Sequence, residues 1–556
     1  KRQTTNPDVR NNTMTIHTNS PYGEARFARL DEVREKGLFQ RSGVEFGLIE
    51  NRPLYHSNRA GMKITGGAGS GKTSQLALPM ILGSNASFVL LDTKNAEITR
   101  VIEAHCALKA VPLYAIDPFG VSGLPRQRVS LLSYLKAESS TLVPDSQRFW
   151  NALLPDSGGD SRFFDQAGRR FGDAITRHDI YLNGSTSFQS IFELASMLRS
   201  DFPAWSAWAD LALEHSPADI IATFGEMKDM YAGSAKTFDS VMAGISNALS
   251  FMASPAAQET FVSNDLADFP LEAMLRGGKT IVSLIVPEEL LEPLAPVVRQ
   301  FFSAIRTVKQ RAPSVSPINF LIDEAARLGR FGELAELFSI GRGQGVTPYV
   351  FYQDDGQIAR NLGPTGKATI EANAAIMIDL GGGIRDYETA RNRSLALGNQ
   401  TIEVADQLVQ TRAQSEAADI WRKVHLEDAD PVQAGLRLRQ LDYEAAHRTK
   451  MRKALMEPEQ LLGLDPAKML VQARGYHLRP FIADKRPYFI QRRFAGHYLP
   501  NPNEERDLCR VTIQTRFGKR RRAVIEQDCP RGLSNLPQYA GGHRSLRFVQ
   551  GFKPAF

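Results

Sequence analysis

The chain has 556 residues, 42% hydrophobic and 23% charged, values of a globular protein that argue against disordered, fibrous and disulfide-scaffold classes. Its 67 Lys and Arg against 61 Asp and Glu leave a net charge of +6, a surplus that permits an acidic partner without demanding one. Three cysteines, Cys106, Cys509 and Cys529, form no Cys-x-x-Cys pair and no Cys/His cluster, which argues against a structural zinc site and fits a reducing compartment.

Residues 1–45 are polar, with little periodicity, and read as an N-terminal arm. "GVEFGLIENRPLYH", starting at Gly43, reads as a hairpin leading into a first core strand, "GMKITG". "SFVLLDTK" and "VPLYAIDP" are short apolar runs ending in Asp, the form of buried parallel strands. These make a first core segment, 46–145. Over 146–265 strand signals give way to helical spacing, as in "DQAGRRFGDAITRHDIYL" and "SVMAGISNALSFMA", and the segment reads as an inserted all-α domain. Strands resume in a second core segment, 266–495, at "KTIVSLIVP", "INFLIDEA", "TPYVFYQD" and "AAIMIDLG". Within it, 400–455 reads as a charged helical insertion, and "YHLRPFI" and "RPYFIQRR" read as a last strand pair. Residues 496–556 read as a polar tail with a basic cluster, "RFGKRRR", from Arg516 to Arg522. The fold class is α/β. No uninterrupted apolar run reaches the length of a membrane-spanning helix, and no signal peptide is visible. The first residue is Lys1 rather than Met, so two readings stay open: a trimmed chain whose N-terminal anchor has been removed, and a chain without one.

The loudest motif follows the "GMKITG" strand. Gly66, Gly67, Ala68, Gly69, Ser70, Gly71, Lys72 and Thr73 fit G-x-x-x-x-G-K-[ST]. The glycines let successive backbone N–H groups surround a phosphate chain, Lys72 reaches the β- and γ-phosphates, and the Thr73 hydroxyl ligates Mg²⁺. A dinucleotide fingerprint needs Gly where Lys72 stands. Two partial matches, "EAMLRGGKT" and "NLGPTGKA", lack the first Gly, and the second also has Ala368 after its Lys. The loop's partner is an acid at a strand end: "INFLIDEA" sets Asp323 to hold Mg²⁺ and Glu324 to polarise the attacking water. Adjacent acids favour ATP-driven motors over small kinases and GTPases. The segments 46–145 and 266–495 are thus two parts of one nucleotide-binding domain. Two further residues have a functional and a bland reading. Arg342, between glycines in "SIGRGQG", reads as a turn residue, either solvated or inserted into a neighbouring subunit's site. Gln353, closing "TPYVFYQ", is either a strand cap or a γ-phosphate sensor.

In this order the motifs resemble the type IV coupling proteins, the TraG/VirD-type ATPases of conjugative transfer and type IV secretion. The likeness runs through "TGGAGSGKT", "FVLLDTKNAE", "YAIDPFG", "DSRFFDQAGRR" and "NFLIDEAARLGRFGELAELFSIGRGQGVTPYVFYQD", and on to "RGYHLRPFIADKRPYF". It implies a RecA-like P-loop core with an inserted all-α domain, ATP and Mg²⁺ as ligands, and a homo-hexamer around a channel. It also implies Lys72 and Thr73 at phosphate and metal, Asp323 and Glu324 as metal and catalytic acids, Arg342 as a finger and Gln353 as a sensor. The partners implied are single-stranded DNA, a relaxase–DNA complex or effector proteins, and other secretion components. The location implied is the cytoplasmic face of the bacterial inner membrane. Two other functions compete on sequence: an ATP-gated docking platform for effectors, and a soluble DNA translocase of the FtsK/HerA sort.

Overall fold

The apolar runs singled out as core strands converge on one sheet. The computed structural model describes residues 20–555 apart from 406, 427–429, 447 and 541–544, and 1–19 of the expected arm lie outside the described residues. In chain order the strands are β1 (Val44–Ile49), β2 (Arg52–His56), β3 (Met62–Thr65), β4 (Ser87–Asp92), β5 (Leu113–Ile116), β6 (Ile281–Ile285), β7 (Ile318–Ile322), β8 (Val346–Tyr352) and β9 (Ile376–Leu380). They continue with β10 (Asn399–Ala405), β11 (Arg448–Ala454), β12 (Lys468–Gln472), β13 (Phe481–Asp484), β14 (Arg510–Thr515), β15 (Gly518–Asp528) and β16 (Ser545–Val549). The main sheet runs β2-β1-β13-β12-β9-β3-β8-β7-β4-β6-β5. From β9 to β5 every pairing is parallel, and the β2-to-β12 flank is antiparallel. Strands β3, β4, β6, β7, β8 and β9 are buried along their whole length, because helices cover both faces of a parallel sheet.

Between β5 and β6 the described residues form helices and isolated bridges but no strand, in keeping with the all-α reading. Helix Leu142–Leu153 packs on helix Arg162–Asn183, where Gly172 lies under the Trp150 ring. A Cβ there would come within 2.3 Å of that ring, so a larger residue would force the helices apart. The Trp150 indole donates to Thr176 Oγ1 at 3.0 Å. Buried Arg299 ties this helical part to the strand ends. Its guanidinium donates to the carbonyls of Ala152, Leu153 and Leu328 at 2.8, 3.1 and 2.9 Å.

Three expectations are corrected. The last strand pair is β12 with β13. Residues 488–494 make 3₁₀ turns instead, since Pro487 cannot donate to a ladder. The stretch 400–455 is not simply helical. β10 and β11 form an antiparallel ribbon leading to helices Gln407–Leu426 and Pro431–Ala446, and the described residues of 386–462 with 20–27 make a separate unit. Residues 496–556 are not a loose tail. β14, β15 and β16 form an antiparallel sheet whose Val511, Ile513, Leu546 and Val549 are buried. Gln538 exchanges hydrogen bonds with Leu113 N and Val111 O at 3.0 and 2.9 Å, covering the free edge of β5.

Asp92, at the end of β4, is 1% exposed and accepts hydrogen bonds from Thr99 N and Thr99 Oγ1 at 2.8 and 2.7 Å. Burial pushes its carboxyl up to about 7 from 3.8. The unfolded chain therefore ionises first as pH rises. The folded state loses stability between those two values and bears the full penalty above about 7, by at most about 4 kcal/mol. Asp92→Asn keeps an acceptor for Thr99 and removes the charge. Urea denaturation is expected to find it more stable than wild type at pH 8, with the gap closing toward pH 4. An equal gap at both pH values would contradict this account.

Candidate nucleotide site

Because β9, β3, β8, β7 and β4 run parallel, their carboxyl ends lie along one edge of the sheet. The glycine-rich loop leaves β3 at that edge. Gly66 N donates to Tyr352 O at 3.0 Å, and Gly67 N to Gly383 O at 2.9 Å, pinning the loop to the ends of β8 and β9. Gly69 and Gly71 take φ of +76° and +80°, a left-handed backbone that a side chain would strain. A Cβ on Gly383 would stand 2.7 Å from Gly66 Cα, so the loop and the β9 exit pack backbone to backbone. Lys72–Ala77 forms a π-helical turn that continues as the α-helix Leu78–Gly83.

The acids expected some 250 residues away meet this loop. Lys72 Nζ lies 3.5 Å from Glu324 Oε2, and Thr73 Oγ1 donates to Asp323 Oδ2 at 3.2 Å. Gln353 Nε2 donates to Glu324 Oε1 at 3.0 Å. Seven of the eight loop residues proposed for phosphate binding, Gly67 through Thr73, follow Gly66 around one turn. Six of them, with Lys94, Glu324 and Gln353, border a cleft of about 350 Å³, the size of a small-molecule site. A larger groove of about 900 Å³ near Arg330 and Gly363 contains none of these groups.

Two details mark the acids. Glu324 has φ +68°, left-handed for a residue with a side chain. That conformation costs roughly 1–2 kcal/mol and turns its carboxylate toward Lys72 and Gln353. Asp323 is 4% exposed, and its Oδ1 is buried with no hydrogen-bond partner. Burial raises its proton affinity, against the pull of Lys94 and Lys72. A buried, unpartnered carboxylate oxygen beside the Thr73 hydroxyl fits a Mg²⁺ ion and its water ligands.

Arg342 is not brought to this cleft. It lies exposed in the last turn of helix Gly332–Gln344, just before β8 begins. The turn reading of Gly341–Arg342–Gly343 fails because Gly341 serves close packing: a Cβ there would meet Val346 O at 2.7 Å. The helix ends instead at Gly345, with φ +75°. Gln353 lies at the other end of β8, so the seven-residue strand, roughly 24 Å long, stands between the two.

Several participants carried no sequence signal. Buried Lys485 donates to Ser70 O at 2.5 Å and to Gln75 Oε1 at 3.0 Å, and burial lowers its ammonium to about 8. Arg385 donates to Ala68 O at 2.8 Å. From the C-terminal part, Asn501 Nδ2 donates to Glu97 Oε1 and Asn503 Nδ2 to Lys94 O, both at 2.9 Å, bracing the turn after β4. The buried cation could have been suspected only from the resemblance over "ADKRPYF".

The family described as Type IV secretory system conjugative DNA transfer matches residues 26–421. The chain belongs to that family. It is 24% identical over 360 residues to the type IV secretion system-coupling protein VirD4 of Bartonella quintana (strain Toulouse), covering 61% of this chain and 53% of that protein. It is 24% identical over 355 residues to the conjugal transfer protein TraG of Rhizobium radiobacter, covering 61% and 52%. The chain spans about half the length of the curated relatives it matches. Among solved structures, the bacterial conjugative coupling protein TrwBdeltaN70 in its unbound monoclinic form has a TM-score of 0.58 at 17% identity, covering 84% of this chain and 93% of that one. The plasmid coupling protein TrwB in complex with ADP and Mg²⁺ has a TM-score of 0.58 at 16% identity, covering 84% and 94%. The fold expected of this coupling-protein family, a RecA-like P-loop core with an all-α part, is the fold found. Among the described residues no helix is long and apolar enough to cross a membrane.

Glycine at position 324 would relax the left-handed backbone while deleting the carboxylate. Glu324→Gly is expected to raise stability by about 1 kcal/mol, read by thermal denaturation. Lys485→Met is expected to weaken nucleotide affinity by about tenfold, through release of the Ser70 carbonyl, as titration with a fluorescent ATP analogue would measure.

Proposed function

We propose that the chain is the ATP-hydrolysing part of a coupling protein that delivers single-stranded DNA with its relaxase, effector proteins, or both, to a type IV secretion channel. The observation that carries this reading is the contact pair Lys72–Glu324 and Thr73–Asp323, which joins loop and acids across β8. Gly66 through Lys72 would cradle the phosphates of ATP, and Thr73 with Asp323 would hold Mg²⁺. Bound there, the ion neutralises charge on the phosphates. Glu324 accepts the proton of the attacking water, and Gln353 holds the Glu324 carboxylate in place and senses the γ-phosphate. Negative charge entering the cleft competes with Glu324 for Lys72, which frees that carboxylate for the water.

Arg342 takes its role from the far end of β8. Too distant for its own cleft, it serves the cleft of a neighbouring copy, with ATP bound between subunits; the assembly proposed is a homo-hexamer at the cytoplasmic face of the inner membrane. Other secretion components receive the cargo. A finger of this kind is worth about 10³–10⁵ in rate.

Lys72→Ala is expected to lower hydrolysis by about 10²–10³-fold or more, together with loss of DNA transfer; survival of both sinks the reading. Arg342→Ala should be equally inactive, yet a mixture of the two inactive variants should regain part of the activity, because some interfaces then pair an intact loop with an intact arginine. No recovery on mixing would remove the shared site. Hydrolysis indifferent to single-stranded DNA, with tight effector binding, would favour the docking platform, and movement along duplex DNA would favour the translocase.

A further inference from the structure

The basic cluster singled out in the sequence forms the tip of the β14–β15 hairpin. Thr515 pairs with Gly518, so Arg516 and Phe517 are the two turn residues. Thr515 Oγ1 accepts from Phe517 N at 3.2 Å and donates to Gly518 O at 2.7 Å, fixing the turn. Phe517 is 81% exposed at the apex. Arg516, Lys519 and Arg520 are exposed, and among the described residues their side chains have no hydrogen bond or ion pair. Arg521 is held by Asp507 at 2.6 Å, and Arg522 is half-buried with Nε unpartnered.

This is a poor design for a mere solvated turn. Adjacent like charges repel, a bare aromatic at an apex exposes apolar surface, and among the described residues the cluster's ion pair is Arg521 with Asp507, Glu505 feeling the same Arg521 charge. The cost is offset when a polyanion neutralises the cations and covers the ring. On β15 residues two apart stand about 7 Å apart on one face. Lys519 and Arg521 make one row, opposite the polar Gln514 and Thr512 of β14, and Arg520 and Arg522 make the other, opposite Ile513 and Val511. Rows of cations along a strand suit a linear chain of phosphates, and one exposed ring suits one stacked base. A bilayer anchor would need more apolar area than a single Phe flanked by Thr515 and Gly518.

We propose that the β14–β15 hairpin is a contact site for single-stranded nucleic acid, its cations on phosphates and Phe517 stacked on a base. The choice of cargo rests on the delivery function proposed above. The placement suits that function: β14 follows residues 501–507, whose Asn503 holds the Lys94 carbonyl beside the nucleotide cleft.

The test uses the full chain, fluorescence anisotropy with labelled oligothymidylate across a salt series, and sedimentation with phosphatidylglycerol vesicles. Wild type should bind the oligonucleotide in a salt-dependent way. The double variant Lys519→Glu, Arg520→Glu should bind at least about tenfold more weakly, with the slope of log K against log salt reduced by about 1.4 for two lost phosphate contacts. Phe517→Ala should weaken binding about fivefold or more without changing the slope. Both positions are exposed, and an unchanged melting midpoint confirms folding. Variants that bind like wild type with the same slope overturn the proposal. So does loss of vesicle binding with oligonucleotide binding intact, which would mark a membrane contact instead. The readout is binding, so a wild type that binds oligonucleotide but hydrolyses no ATP would count against the proposed function and not against the hairpin.

Discussion

Everything at the site depends on β8 lying between β3 and β7 in a parallel register. Parallel strands send all their carboxyl ends the same way, so residues far apart in sequence leave the sheet side by side. Loop, Gln353 and acid pair are consecutive along that edge, and Lys72 reaches Glu324 across the width of one strand. If β7 were antiparallel, Asp323 and Glu324 would leave at the opposite edge, a strand's length away. The same rule separates Arg342 from Gln353, because they bracket a single strand. Buried ion pairs hold the order: Lys63, pointing off β3, contacts Asp355 at 2.7 Å and Glu371 at 2.9 Å on the helix that follows β8. Leaving any of these charges unpaired in the interior would cost several kcal/mol.

The edge is also where the molecule tolerates unfavourable local structure. Glu324 has a left-handed backbone, Asp323 an orphan oxygen and Lys485 a desolvated ammonium. None of these improves folding. Glu324 and Asp323 set a charge and a lone pair beside Lys72 and Thr73, and Lys485 holds the loop from beneath, the distribution expected where function outweighs local stability.

Much of this was legible in the sequence, for physical reasons that also explain the failures. Strands buried on both faces leave largely apolar runs, so β4 through β9 could be read directly, and β3 was placed by the glycine-rich loop that follows it. The P-loop pattern is tied to backbone geometry, and the acid pair to a strand end. Gly341 misled because glycine serves both turns and close packing, and sequence alone does not say which. Residues 488–494 are aromatic-rich like a strand, but Pro487 denies the ladder. In 496–556 the apolar alternation of Val511 and Ile513 was masked by the arginines of the facing strand. Lys485 was invisible because its burial is purely tertiary: nothing in Asp-Lys-Arg-Pro distinguishes a cation under the loop from one in water.

The loop's supports show why such residues matter. In a trans peptide the carbonyl and the following N–H point in opposite directions. Lys485 holds the Ser70 carbonyl, and Arg385 holds that of Ala68. Each cation thereby fixes the next amide, Gly71 N–H or Gly69 N–H, in the opposing direction, and both glycines border the cleft. Without such partners the outward carbonyls would be free to rotate, and the converging amides would relax apart before any phosphate arrived. The supports act on donors that are set before binding, so they lower the reorganisation that binding requires. Lys485 and the Asn501–Asn503 brace lie beyond the stretch matched by the family, residues 26–421. The glycine-rich motif supplies the loop, while side chains far along the chain hold its carbonyls in place.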